Sequence, residues 1–166
     1  MSSVVMMQED VNIAELVITL LLVGVLAAIA LFDVRQWRIP DALNALVFGL
    51  AVAAALLLDR VTIAWALVSS VSMLMLALVI RDLFRRVRGH HGLGLGDVKF
   101  AAAAAALIGL EWMPVMILLA SGSALALVAI NRFAGNPLAL ADRIYFGPFL
   151  SVALLALWIA PYLGSG

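Results

Sequence analysis

Six stretches of this 166-residue chain contain no Asp, Glu, Lys or Arg: residues 16–32, 42–58, 61–80, 100–110, 112–130 and 144–166. About 20 residues of α-helix span the hydrocarbon of a bilayer. The pattern therefore predicts an all-α polytopic membrane protein with six transmembrane helices. The fourth stretch is the shortest, but a helix over 97–112 would still reach about 24 Å. Composition agrees: 66% of residues are hydrophobic and 12% charged, against roughly a quarter charged in a soluble domain. A soluble globular fold and a disordered chain are both excluded on that ground.

The basic residues orient the spans. With the N-terminus outside, the inner ends and loops hold Arg35, Arg38, Arg81, Arg85, Arg86, Arg88, Lys99, Arg132 and Arg143, and Arg60 alone lies outside. Glu9, Asp10, Asp59 and Glu111 fall on the outer side. Six crossings return the C-terminus outside as well. Residues 1–12 lack a basic n-region and a small-residue cleavage site, so they read as an outward tail. Residues 13–166 then form a single six-helix domain. The inner loop 81–96 is basic and then glycine-rich, and 131–143 is the next inner connection. Small residues (Gly49, Ala53, Ser69, Ser70, Ser72, the Ala101–Ala106 run, Ser121, Gly122 and Ser123) are placed for close helix approach. Met73 and Met75 read as packing.

Ten basic residues balance ten acidic ones, which leaves a nucleic-acid partner no electrostatic basis. The chain has no cysteine. Disulfides, thiolate zinc, iron–sulfur clusters and a cysteine nucleophile are thereby excluded. His90 and His91 are adjacent and have no neighbouring carboxylate, so they read as a solvated pair and no metal is expected. Arg81, Arg85, Arg86 and Arg88 read as topology anchors with a share in attracting anionic lipid. Trp37, Trp65, Trp112 and Trp158 are partly interfacial anchors. Asp82 and Asp142 balance Arg81 and Arg143 locally.

Two carboxylates remain where lipid makes them costly. Asp33 terminates the first apolar stretch, and Asp97 opens the fourth in Gly92-Leu93-Gly94-Leu95-Gly96-Asp97-Val98-Lys99. The topology puts both on the inner side. Two aspartates in contact hold one proton between them across the neutral range. Such a pair activates water with one member while the other hydrogen-bonds a scissile carbonyl, with no metal or cofactor. Gly94 and Gly96 give the backbone unusual freedom and let a substrate strand approach. A helix starting at Asp97 points its positive end at the site. The competing structural reading of Asp97 is a helix N-cap followed by a snorkelling Lys99.

Asp33 with Ile39-Pro40-Asp41, then Gly94-Leu95-Gly96-Asp97-Val98-Lys99, then Tyr145-Phe146-Gly147-Pro148-Phe149-Leu150 together resemble the type IV prepilin peptidase family, the Gly-x-Gly-Asp intramembrane aspartyl proteases. The resemblance implies Asp33 and Asp97 as the catalytic pair. It makes Pro40 and Asp41 accessory, with Asp41 read as capping the second helix after Pro40 breaks the first. Lys99 would orient the Asp97 loop or meet lipid phosphate, and Gly147-Pro148 would start a broken helix beside the pair. The implied activity is removal of the basic leader from prepilins, Flp-type prepilins or pseudopilins at the cytoplasmic face of the bacterial inner membrane, without a cofactor. Larger members carry paired cysteines and also methylate the new N-terminus; with no cysteine and a short start, this chain is expected to cleave without methylating. The competing functions are a small proton- or ion-coupled transporter and a non-enzymatic subunit of a secretion or pilus assembly. The oligomeric state is not legible in the sequence.

Overall fold

The computed structural model describes residues 2–36, 38–58, 61–88, 94–133 and 145–163, with side chains for those between 13 and 160. Trp37, Asp59, Arg60, the His90-His91 pair, Asp142 and Arg143 lie outside the described residues. Every regular element among the described residues is helical: α1 (Ser2–Gln36), α2 (Asp41–Leu57), α3 (Ile63–Arg88), α4 (Leu95–Ile108), α5 (Met113–Phe133) and α6 (Gly147–Leu163), with a short 3-10 turn (Leu110–Trp112) before α5. Three segments are long and apolar enough to cross a membrane: Ile13–Gln36, Ile63–Arg88 and Leu110–Phe133. The helices α2, α4 and α6 are shorter and apolar.

Each long helix buries one stripe and leaves the rest of its apolar surface outward, as expected where lipid replaces water. On α1 the stripe is Ile18, Leu22, Leu26, Ile29 and then Asp33. On α3 it is Ala66, Ser69, Met73 and Ala77; on α5 it is Met113, Met116, Ala120 and Ala124. Met73 is thus packing, while Met75 faces outward.

The helix α4 is different, because from Phe100 to Leu107 it is enclosed on all sides. Val98 and Phe100 to Leu107 are all buried, and α2 and α3 pack along it, with α5 and α6 adding contacts. The Ala101–Ala106 run makes this possible, since methyl side chains let four neighbours approach one axis. The helix has 14 residues, about 21 Å long, and is shorter than the expected 97–112. Gly109, at φ +87°, breaks it. The next turn is anchored where the Leu110 N–H donates to Ser69 Oγ at 3.3 Å.

Other boundaries also differ from expectation. The helix α1 continues through residues 2–12, and Asp33 sits inside it, not at its end. The helix α3 runs to Arg88, so residues 81–88 are helix where a loop was expected. There Arg86 pairs with Asp82 one turn earlier at 2.7 Å, and the helix runs on through the arginines. Gly49 and Gly122 mark no close helix approach, because a Cβ at either would meet nothing within 4 Å.

The helices α1 and α6 pack along each other in opposite directions. Gly147 meets Asp33 at one end, and Trp158 Nε1 donates to Thr19 Oγ1 at 2.9 Å towards the other. Trp158 is buried, whereas Trp65 and Trp112 are exposed. A cavity of about 630 Å³, lined by Val61, Leu107, Glu111, Leu157 and Trp158 among others, lies at the Trp158 end, remote from Asp33.

Candidate active site

Asp33 occupies the core-facing stripe of α1 and is 9% exposed. A buried carboxylate needs donors, and α6 supplies one. The Gly147 N–H donates to Asp33 Oδ2 at 2.8 Å across 114 positions of sequence. The first N–H groups of a helix have no partner within it, so the start of α6 is free to serve the carboxylate. Pro148, next in line, forfeits no helical bond by lacking an N–H. Glycine at 147 is required by space: a Cβ there would lie 2.7 Å from Asp33 Oδ2 and 2.9 Å from its Cβ and Cγ.

Asp97 stands in the first turn of α4 and is partly buried. Its carboxylate accepts a hydrogen bond from the backbone at Gly94 and lies close enough to Asp33 for the two charges to repel. Two aspartates 64 positions apart therefore share one electrostatic site, with the N-terminal ends of α4 and α6 beside it. Both helix ends favour negative charge there.

Three of the sequence expectations for this region are corrected. Asp97 is not the N-cap of α4; that position is Gly94, and Asp97 reaches back to it from the third helical residue, as acidic residues do in a capping box. Gly94 needs no unusual backbone, since its φ of −66° and ψ of 146° are open to any residue. What Gly94 and Gly96 provide is close approach: a Cβ at Gly94 would sit 3.0 Å from Asp97 Oδ2, and one at Gly96 would sit 3.1 Å from the Ile39 Cβ. Asp41 does not cap α2. The cap position is Pro40, which makes no side-chain cap bond, while the Asp41 carboxylate reaches Lys99 Nζ at 2.6 Å. That pair is largely solvent-exposed and ties the start of α2 to the start of α4.

Sequence reasoning missed Asn44. It is buried on α2, and its Nδ2 donates to the carbonyl of Gly96 at 3.3 Å. A lone amide one turn inside an otherwise apolar helix was the available signal. Among the described residues no group of three or more His, Cys, Asp or Glu is placed to hold a metal.

Comparison with known proteins bears on the same residues. Residues 20–130 match the type IV leader peptidase family. A prepilin leader peptidase/N-methyltransferase of Burkholderia pseudomallei is 29% identical over 132 residues, covering 78% of this chain and 42% of the relative. The protein of the same name from Aeromonas hydrophila is 29% identical over 147 residues, covering 85% and 47%. The chain thus spans less than half the length of these relatives. No solved structure matches. The matched segment takes in Asp33, the Ile39-Pro40-Asp41 corner and the Gly94 to Lys99 turn, and the chain belongs to the type IV leader peptidase family.

Proposed function

We propose that this chain is an intramembrane aspartyl endopeptidase that removes the basic leader of type IV or Flp-type prepilins or pseudopilins, with Asp33 and Asp97 as the catalytic pair. The observation that carries the reading is that these two carboxylates lie near enough to repel, beside the N-terminal ends of α4 and α6. One shared proton suits the chemistry. The ionised carboxylate takes a proton from water as its oxygen attacks the scissile carbonyl carbon, and the protonated carboxyl gives its proton to the carbonyl oxygen. As the resulting gem-diol collapses and the C–N bond breaks, the carboxyl that took the water proton gives it to the departing nitrogen, and the carboxylate left ionised takes a proton from a gem-diol hydroxyl. The two helix ends and the Gly147 N–H stabilise the single negative charge throughout.

In this reading the helices cross the bacterial inner membrane six times, with both termini outside. The arginine distribution supports that orientation. It sets the pair at the cytoplasmic boundary, where the substrate's basic leader joins its apolar helix.

The test is replacement of each aspartate by asparagine, which keeps shape and removes the acid. Asp33→Asn and Asp97→Asn are each expected to leave a co-expressed prepilin unprocessed while the variant still accumulates in the membrane. Continued cleavage by either variant defeats the assignment. Proton-linked flux in liposomes without cleavage would point to a transporter instead.

A further inference from the structure

Asn44 is more than nine-tenths buried on the core face of α2, next to Val47 and Ala51 of the same stripe. Its amide orientation is set by the Gly96 carbonyl, because the reversed amide would bring two oxygens together. Among the described residues its Oδ1 has no partner. An acceptor left buried and unpaired is unfavourable, and an aliphatic side chain of similar volume would avoid that penalty. Stability therefore does not account for an amide at this position, and another task is required.

The partner of that amide indicates the task. Gly96 directly precedes Asp97, and the chain around α2 grips this turn at three points: Ile39 against Gly96, Asp41 on Lys99, and Asn44 on Gly96. The Asp41–Lys99 contact is exposed and screened by water, so it holds weakly. The Asn44 contact is sheltered. Successive helical residues are about 100° apart around the axis, so a small rotation of the first turn swings Asp97 away from Asp33. We infer that Asn44 is a positioning residue that fixes the rotation and height of the first turn of α4, and so keeps Asp97 in register with Asp33. The inference rests on the reading of these aspartates as the catalytic pair.

The experiment uses the purified full chain in detergent and a synthetic precursor with a lysine-rich leader joined to an apolar helix. Asn44→Leu fills the volume and removes the donor. It is expected to lower kcat by about 100-fold, as a misplacement near 1 Å does, with KM changed less than about twofold and thermal stability equal to or above wild type. Asn44→Asp adds a readout that packing alone does not move. As a carboxylate it repels the Gly96 carbonyl, and as a protonated acid it donates to it again. Asp41 on α2, Asp97 and Lys99 on α4, and Asp33 on α1 are the ionisable groups around this turn. All are present in wild type, so the ratio of variant to wild-type activity reports the acid at position 44 together with its coupling to these groups. That ratio is expected to rise at least about tenfold as the pH falls from about 8 to about 5.

A fully active Asn44→Leu overturns the inference. So does an Asn44→Leu variant whose lost activity tracks a lowered melting temperature, or one in which KM alone rises. An Asn44→Asp profile parallel to wild type overturns it as well. A wild-type chain that leaves the precursor intact overturns the peptidase reading and this inference together. Wild-type cleavage alongside an unimpaired Asn44→Leu overturns the inference alone.

Discussion

Substituting alanine at Gly147 tests whether the spacing between α1 and α6 sets the activity. The added Cβ would lie 2.9 Å from both Cβ and Cγ of Asp33, whereas carbon pairs settle at about 3.5–4.0 Å. At least roughly 0.6 Å must therefore be yielded. Rotation about the Asp33 side chain does not relieve the contact, because the Asp33 Cβ is itself one of the two carbons and is fixed to the α1 backbone. The helices must separate, and overpacking of this kind costs about 1–3 kcal/mol. Alanine returns at most about 1 kcal/mol of backbone entropy within a helix. The N–H to Oδ2 contact, now 2.8 Å, would stretch to about 3.4 Å, past the range of a good hydrogen bond, losing a further ~1.5–3 kcal/mol of charge-assisted bonding. With about 100-fold lost for a 1 Å misplacement, Gly147→Ala is expected to lower kcat roughly 10- to 100-fold and to lower the melting temperature. The assay is precursor cleavage in detergent, followed on gels, with thermal unfolding of the same samples. Gly49→Ala is the control, since nothing lies within 4 Å of its added carbon. A Gly147→Ala variant with wild-type rate and wild-type melting would refute the reasoning.

Two further outcomes are expected. Asp41→Asn and Lys99→Met should each cost no more than about 1 kcal/mol, because the pair is exposed, and the double variant should cost no more than the worse single one. A double-mutant cycle of unfolding free energies checks this, and high salt should shrink the coupling. Gly109→Ala should destabilise by about 1–3 kcal/mol, since φ is +87° with ψ 154° and the Cβ would fall 2.6 Å from Glu111 Oε1, while Gly49→Ala should be neutral or slightly stabilising; melting temperatures separate the two.

Much of the candidate site was legible in the sequence because an apolar surrounding penalises charge. Asp33 and Asp97 stand out at the ends of apolar runs, and Asp33 also continues the buried stripe of Ile18, Leu22, Leu26 and Ile29. The helical class followed from the same runs. Boundaries were less legible where charge and secondary structure part company. The arginines after Ile80 suggested a loop, yet α3 persists to Arg88, because leaving the hydrocarbon does not end a helix. Partnerships between distant segments were not legible at all. Asp41 looked like a cap because it follows proline, and its bond to Lys99 spans 58 positions. Asn44 drew no reading from the sequence, because its partner, the Gly96 carbonyl, lies 52 positions away.

The enclosure of α4 has a consequence for how the bilayer acts on this molecule. Hydrophobic mismatch is absorbed by tilting of helices that face lipid, and in the proposed membrane setting α1, with its outward apolar surface, is such a helix. The helix α4, by contrast, is sheathed by its neighbours from Phe100 to Leu107 and offers lipid little surface there. One aspartate therefore rides on a helix that responds to lipid length, and the other on a helix shielded from it. In that setting acyl-chain length would become a mechanical variable acting on the separation of Asp33 and Asp97, with the Gly147 contact as the brace that resists it.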